Sequence, residues 1–260
     1  MMATKNTGEV EISVLEIATQ KVDYCIIGQT PIILNRMTEK VKNELLLPKG
    51  RKTTAEKATS LKHDPLQEFF DSPYKLSDIS APTLLAHLAT AFKKAIANTA
   101  IDIPGAKKAQ MGRLMWVEGE KIPLYGIPKL HMSVTRSADM NKTPDVRSRC
   151  IIPKWAARLT VVFTVPLLKE PIVSNLLAAA GQIQGVGDWR PEKGSGTFGQ
   201  FRLVKPDDKE FLKILKEGDR SAQEKAMKNP EAYDDETDEL FEWFIIEAEK
   251  RGHKVTRRAK

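Results

Sequence analysis

Residues 181–204 read GQIQGVGDWRPEKGSGTFGQFRLV, with six glycines and with Trp189, Arg190 and Lys193 set among them. Three chemistries use such a stretch. A dinucleotide fingerprint needs G-x-G-x-x-G after a strand and opening a helix. Here Gly185 and Gly187 follow a helical pattern and the last glycines precede a strand, so the order is reversed. No G-x-x-x-x-G-K-S/T loop is present. A plain connection would use glycine for positive φ and close approach, but it leaves the tryptophan and the two cations unexplained. A loop that grips a polymer backbone explains all three types. Main-chain N–H groups at Gly185, Gly187, Gly194 and Gly196 approach phosphates closely. Arg190 and Lys193 supply charge, and Trp189 stacks on a base.

Other cations fall where the same partner would lie. Arg147 and Arg149 flank Ser148 just before an apolar run, placed to clamp a phosphate or a base edge. Arg36, Lys40 and Lys42 follow the first strand pattern, and Lys49, Arg51 and Lys52 lie in the LLLPKGRKTTAEK segment. Arg136 opens the polar, basic stretch RSADMNKTPDVRSR. Lys93 and Lys94 fall near a helix end, where cations also complement the helix dipole. Asp188 reads as a cap or turn residue of the glycine loop. No two of the four histidines stand at ligand spacing, so neither a metal nor a cofactor is expected.

The wider composition agrees with a polyanionic partner. The 260-residue chain carries a net charge of +7, unevenly spread. Residues 1–204 hold 28 Lys and Arg against 19 Asp and Glu, whereas residues 205–249 hold 7 against 15. The end, KRGHKVTRRAK, is basic without an acid. Clustered cations displace counterions from phosphates. Hydrophobic residues make up 41%, enough for a real core, and no apolar run reaches the length of a membrane span. The opening residues show no secretion pattern. Cys25 and Cys150 read as buried reduced thiols, and a cytoplasmic location is expected.

The elements that would position these residues follow from periodicity. KVDYCIIG reads as a strand, with Val22, Tyr24 and Ile26 on one face. Residues 36–62 read as a mobile basic excursion. SDISAPTLLAHLATAFKKAIAN reads as a helix capped at Ser80, with Leu84, Leu85, Leu88, Phe92 and Ile96 on its apolar face. RLMWV, KIPLY and KLHMSVT read as strands, and 136–149 as a loop. Leu159, Val161, Phe163 and Val165 alternate as a strand. EPIVSNLLAAAGQIQ is helical, TFGQFRLV a strand, and DELFEWFIIEAEKRG the last helix. This is an α+β chain, and its first six elements follow the β-α-β-β-α-β order of a ferredoxin-like, RRM-like core. One sheet face is expected to lie under two helices and the other to be free for a partner.

A glycine-rich loop between the second helix and last strand resembles the RAMP superfamily of CRISPR-associated proteins. GVGDWRPEKGSGTFGQF is similar to its loop, YCIIGQTPIILNRM to its first strand and turn, ISAPTLLAHLATAFKKAI to its opening helix, and RSRCIIPKWAARLTVVF to the strand before its second helix. The likeness spans about residues 20–204 and is greatest to the guide-RNA-binding backbone subunits of effector complexes. The acidic helical end lies outside the common pattern, which leaves room for a stand-alone or phage-borne relative.

The resemblance implies a core over 1–204 with basic insertions near 36–75 and 136–149, and an acidic helical extension with a basic tail over 205–260. It implies binding of single-stranded RNA, or DNA, without catalysis, by head-to-tail homo-oligomers and other effector subunits, away from any membrane. A processing endoribonuclease is the rival within the same resemblance. It would use a histidine as general acid–base, His63 beside Asp64 before His87; some backbone subunits cut with a loop aspartate, in the region of Asp64 and Asp71. A third alternative is an interaction protein that copies the backbone fold.

Overall fold

The computed structural model describes residues 14–37, 42, 46, 61, 63–136, 144–193, 196–253 and 255. Strand β1 (Ala18–Gly28) is the axis of the molecule. It pairs antiparallel with β9 (Ala156–Val165) on one side and with β10 (Phe201–Val204) on the other. Strand β5 (Met115–Val117) adds to the far edge of β9, giving the order β10-β1-β9-β5 with every neighbour antiparallel. Alternation sends Tyr24, Ile26, Leu159, Val161 and Phe163 to one face. Helices α2 (Ala89–Thr99) and α4 (Glu170–Ala179) supply Phe92, Ile96, Val173, Leu176 and Leu177 to the same buried cluster. The chain is therefore α+β.

Two smaller sheets flank this layer. Strands β2 (Ile32–Leu34), β8 (Pro144–Ile152) and β7 (Lys129–Arg136) form one, in the order β2-β8-β7. Strands β3 (Tyr74–Lys75), β4 (Leu85–Leu88) and β6 (Lys121–Pro123) form the other, in the order β3-β4-β6.

Several expected boundaries move. The helix expected from Ser80 begins at Ala89, because 85–88 is strand. The Ser80 N–H and hydroxyl both turn back to the Asp78 carboxylate, and β3 and β6 take up the backbone of β4. The loop expected over 136–149 is strand from Pro144 onward, paired with β7 along its length. Its alternation was hidden because Asp145, Arg147 and Arg149 occupy one parity of the strand. Residues 113 and 114 end a short helix, α3 (Lys108–Leu114), rather than opening a strand. The expected strand TFGQFRLV is strand only over Phe201–Val204. Within the expected basic insertion, 65–71 forms helix α1 (Pro65–Asp71), capped by Asp64 and burying Leu66 and Phe69.

The second face of the four-stranded sheet is not free. Helix α5 (Lys209–Glu217) sets Phe211 and Ile214 on Cys25, Ile27 and Ala156, with the Arg158 guanidinium 5.7 Å from the Phe211 ring centre. The same face also carries the exposed Trp116 beside the buried Val162, and a Lys21–Glu118 ion pair. Helices α6 (Arg220–Lys228) and α7 (Asp235–Lys250) are built into the main core through Met227 and Phe241, so packing does not break at residue 205.

Gln223 of α6 is the strongest tie. Its side-chain oxygen accepts from the N–H groups of Leu84 and Leu85, both at 2.9 Å. Its amide nitrogen reaches the carbonyls of Leu124, Gly126 and Gly218 at 2.7, 3.0 and 3.2 Å. Cys25 and Cys150 are buried free thiols, and burial pushes both thiol pKa values up. No helix among the described residues is long and apolar enough to cross a membrane.

Candidate nucleic-acid interface

Helix α4 widens at its end into a π-helical turn, Ala180–Gln184, and stops at Gly185. A loop then runs back to β10 by way of β2. Asp188 N–H donates to the Ile33 carbonyl and Gly199 N–H to that of Pro31, both at 2.8 Å. Val186 is buried and donates to the Gly199 carbonyl. Gly187 (φ 88°) runs so close to Ile33 that an added methyl would crowd the Ile33 carbonyl and the Ile32 side chain. The glycines thus serve close packing of the loop on itself and on β2. The amides of Gly185, Val186, Asp188, Lys193, Phe198 and Gly199 all donate inside the protein. The Gly185 amide, expected to face a phosphate, donates to the Ala180 carbonyl instead.

The side chains of the loop converge. The Asp188 carboxylate accepts from Asn35 at 3.0 Å and from Arg149 Nε at 3.1 Å, which joins the loop to β2 and β8. Arg190 donates to the Gly187 carbonyl at 2.8 Å and holds Glu192 through Nε and Nη2. Glu192 also accepts from Asn98 of α2 at 2.7 Å. Trp189 has φ 52°, the left-handed region, and its ring stacks on Phe198 at 6.2 Å and 8°. The residue remains 44% exposed, leaving area for a second stacking partner.

Burial tunes the charges. It would raise the Glu192 carboxyl, but hydrogen bonding and charge from Arg190, with Lys94 and Lys193, hold it below the usual value. Burial, helped by Arg147, draws Arg149 below the usual guanidinium value against the pull of Asp188 and Glu68. His87 at the base of the site is pushed down to about 4 by burial and by Arg190, so its ring is neutral near pH 7.

A cavity of about 230 Å³ opens between α2, β3 and the loop, lined by Asn35, Tyr74, His87, Lys94, Arg190 and Glu192 among others. Of the expected residues, Arg149, Gly185, Gly187, Trp189 and Arg190 meet at this loop, and Lys193 is exposed beyond it. Gly196 lies so close to the Trp189 backbone that a side chain there would overlap it. Arg147 stands two residues along β8 from Arg149 and pairs with Asp145 at 3.0 Å. Arg36 is half-buried past β2, its N–H on the Ser72 carbonyl. Lys42 is half-buried. Arg136 ends β7 opposite Pro144, five residues from the partner of Arg149. Lys40, Lys49, Arg51, Lys52 and Gly194 lie outside the described residues.

Asn35, Tyr74 and Glu192 were not expected in the site. No periodicity marks them; the topology brings Asn35 and Tyr74 to the loop, and Glu192 lies within it two residues from Arg190. His63, the expected acid–base candidate, is held on both ring nitrogens, by Glu68 at 2.6 Å and Asp145 at 2.9 Å. No group of three or more His, Cys, Asp or Glu that could hold a metal occurs among the described residues. The chain matches no protein-family model and shows no significant sequence match to a curated protein.

Proposed function

We propose that this protein is a non-catalytic single-stranded nucleic-acid-binding protein, for RNA before DNA, built on a ferredoxin-like core in the manner of RAMP backbone subunits. The observation that carries the reading is the convergence of Arg149, Trp189 and Arg190 on the loop between α4 and β10. The order β10-β1-β9-β5, with α2 and α4 in the two crossovers, supports the ferredoxin-like assignment.

Phosphates of a strand exchange with Asp188 and Glu192 for the two guanidiniums, and a base stacks on Trp189. Readout of sequence is slight, because backbone contacts position without specifying. The split between a basic body and an acidic 205–249 segment supports head-to-tail assembly, one copy's acidic helices facing the next copy's basic side. Both ring nitrogens of His63 being engaged is the observation against the nuclease rival.

The test is binding of labelled single-stranded RNA and DNA across a salt series. Native protein is expected to bind with an affinity that falls steeply with salt, by about 0.7 in log–log slope for each phosphate neutralised. Arg149→Ala with Arg190→Ala is expected to weaken binding about tenfold or more and to flatten that slope. Lys193→Ala, on an exposed side chain, flattens the slope without touching the loop's internal bonds. No binding at low salt by the folded protein overturns the reading.

A further inference from the structure

We propose that the exposed face of α7 receives helix α5 of a second copy of this chain. This rests on the head-to-tail assembly proposed above and names its contact. Both helices lie beyond residue 204, outside the span that resembles the RAMP superfamily, so the resemblance does not supply it.

Helix α7 turns Phe241 and Ala248 into the core and leaves Trp243 and Ile246, 59% and 53% exposed, on its outer side. Asp235, Glu239 and Glu242 are exposed beside them, at i, i+4 and i+7 of one helix face. The dipole of α7 accounts for Asp235 in the first turn, but not for Glu239 and Glu242 farther along. Acids around an apolar pair repel phosphates, so neither a nucleic acid nor an anionic membrane fits this face. A cationic protein surface with an apolar centre fits it.

Helix α5 presents such a surface. Leu212 is 46% exposed, and Lys209, Lys213 and Lys216 are exposed around it, again at i, i+4 and i+7. Lys209 stands in the first turn, where its own helix dipole disfavours a cation. Lys213 meets Glu217 at 3.9 Å, a long and exposed pair. Each set of three charges spreads over about 10 Å of helix. Antiparallel alignment sets Lys209 on Glu242, Lys213 on Glu239 and Lys216 on Asp235, with Leu212 about one turn from Trp243. Helix α5 packs on β1 and β9, and α7 on β7. Both faces are turned to solvent, so neither covers the other within one chain. The contact is therefore heterologous and builds an open row of copies. One helix pair falls short of the roughly 1,200–2,000 Å² of stable interfaces, so association without nucleic acid is expected to be weak.

The experiment is sedimentation velocity of the full-length protein, free of nucleic acid, over a range of concentrations at low and high salt. Reversible association that passes beyond the dimer and falls with salt is expected. Glu239→Lys with Glu242→Lys, and separately Lys213→Glu with Lys216→Glu, are each expected to weaken it about tenfold, because attraction becomes repulsion. Mixing the two variants in equal amounts restores it, since each then meets the other's reversed helix. Trp243→Ala weakens association at both salts, because apolar burial is not screened. Every substituted side chain is exposed, so the fold is retained, and near-UV circular dichroism checks it.

A monomer at every concentration overturns the contact. So does association that both reversals leave unchanged, or a loss that mixing does not restore. Copies that associate as described yet bind no labelled RNA or DNA overturn the nucleic-acid reading and leave the contact standing. A strand bound by protein that never self-associates overturns the contact and leaves that reading standing.

Discussion

Gln223, on α6 against the start of β4, and His87, within β4, are both buried polar side chains, and the fold deals with them in opposite ways. Gln223 accepts from two backbone N–H groups and donates toward three carbonyls. His87 has no partner on either ring nitrogen among the described residues, and it lines a cavity. Native interiors satisfy nearly all buried polar groups, and an exception calls for an explanation. The first side chain belongs to the architecture; the second is closed in beside the glycine loop with both ring nitrogens unmet.

The widest separation between the two comes from replacement. Gln223→Leu strands two N–H groups and up to two carbonyls, since that of Gly218 keeps its bond from the Gly126 N–H, each worth about 1–3 kcal/mol when left unmade, with partial relaxation reducing the sum. It is expected to lose about 4 kcal/mol of stability, read by chemical denaturation. A loss under about 1 kcal/mol would remove Gln223 as the tie between α6 and β4.

The next effect is a dependence on pH. The His87 pKa falls from 6.5 to about 4 on folding, so between these values the unfolded chain binds more protons than the native one. Stability from this group is fully present above pH 6.5 and is lost as pH falls toward 4, by about 1.4 kcal/mol per unit where the difference is complete. His131, also lowered by burial, adds in the same direction. His87→Phe is expected to flatten the stability profile between pH 6.5 and 4, whereas Gln223→Leu lowers it evenly. A profile unchanged by His87→Phe would mean that its imidazole is protonated in the native state.

The smallest effect is His87→Phe at pH 7.5. Phenylalanine keeps the edge-on contact with Phe92 and removes two unsatisfied nitrogens, so stability is expected to change by less than about 1 kcal/mol. A loss above about 2 kcal/mol, measured by the same denaturation, would show that the imidazole has a structural partner after all.

What could be read from the residues depended on whether one element carried the signal. β1, β9, α4 and α7 were legible, because each shows its own alternation or helical spacing over many residues. The start of α2 was not, since residues 85–88 carry helix-like spacing while sheet partners 10 and more residues away claim their backbone. Strand β8 was hidden by charge on alternate positions. In the site, Trp189 and Arg190 stood out as a tryptophan and a cation among glycines. The bond from Asp188 to Asn35 and Arg149 did not, because those residues lie 153 and 39 positions away. The cavity at His87 is likewise assembled from four separate stretches of chain.

Trp189 sits in the left-handed region, where an L-residue other than glycine is disfavoured by about 1–2 kcal/mol. The carbonyl of Trp189 is engaged by Phe198, and its ring lies flat on that neighbour. Folding has therefore already met the cost of holding the indole in place. A stacking partner of the proposed kind would meet a surface that needs no rearrangement, so its capture is expected to proceed at the rate of encounter, with the strength of the contact expressed in how slowly it leaves.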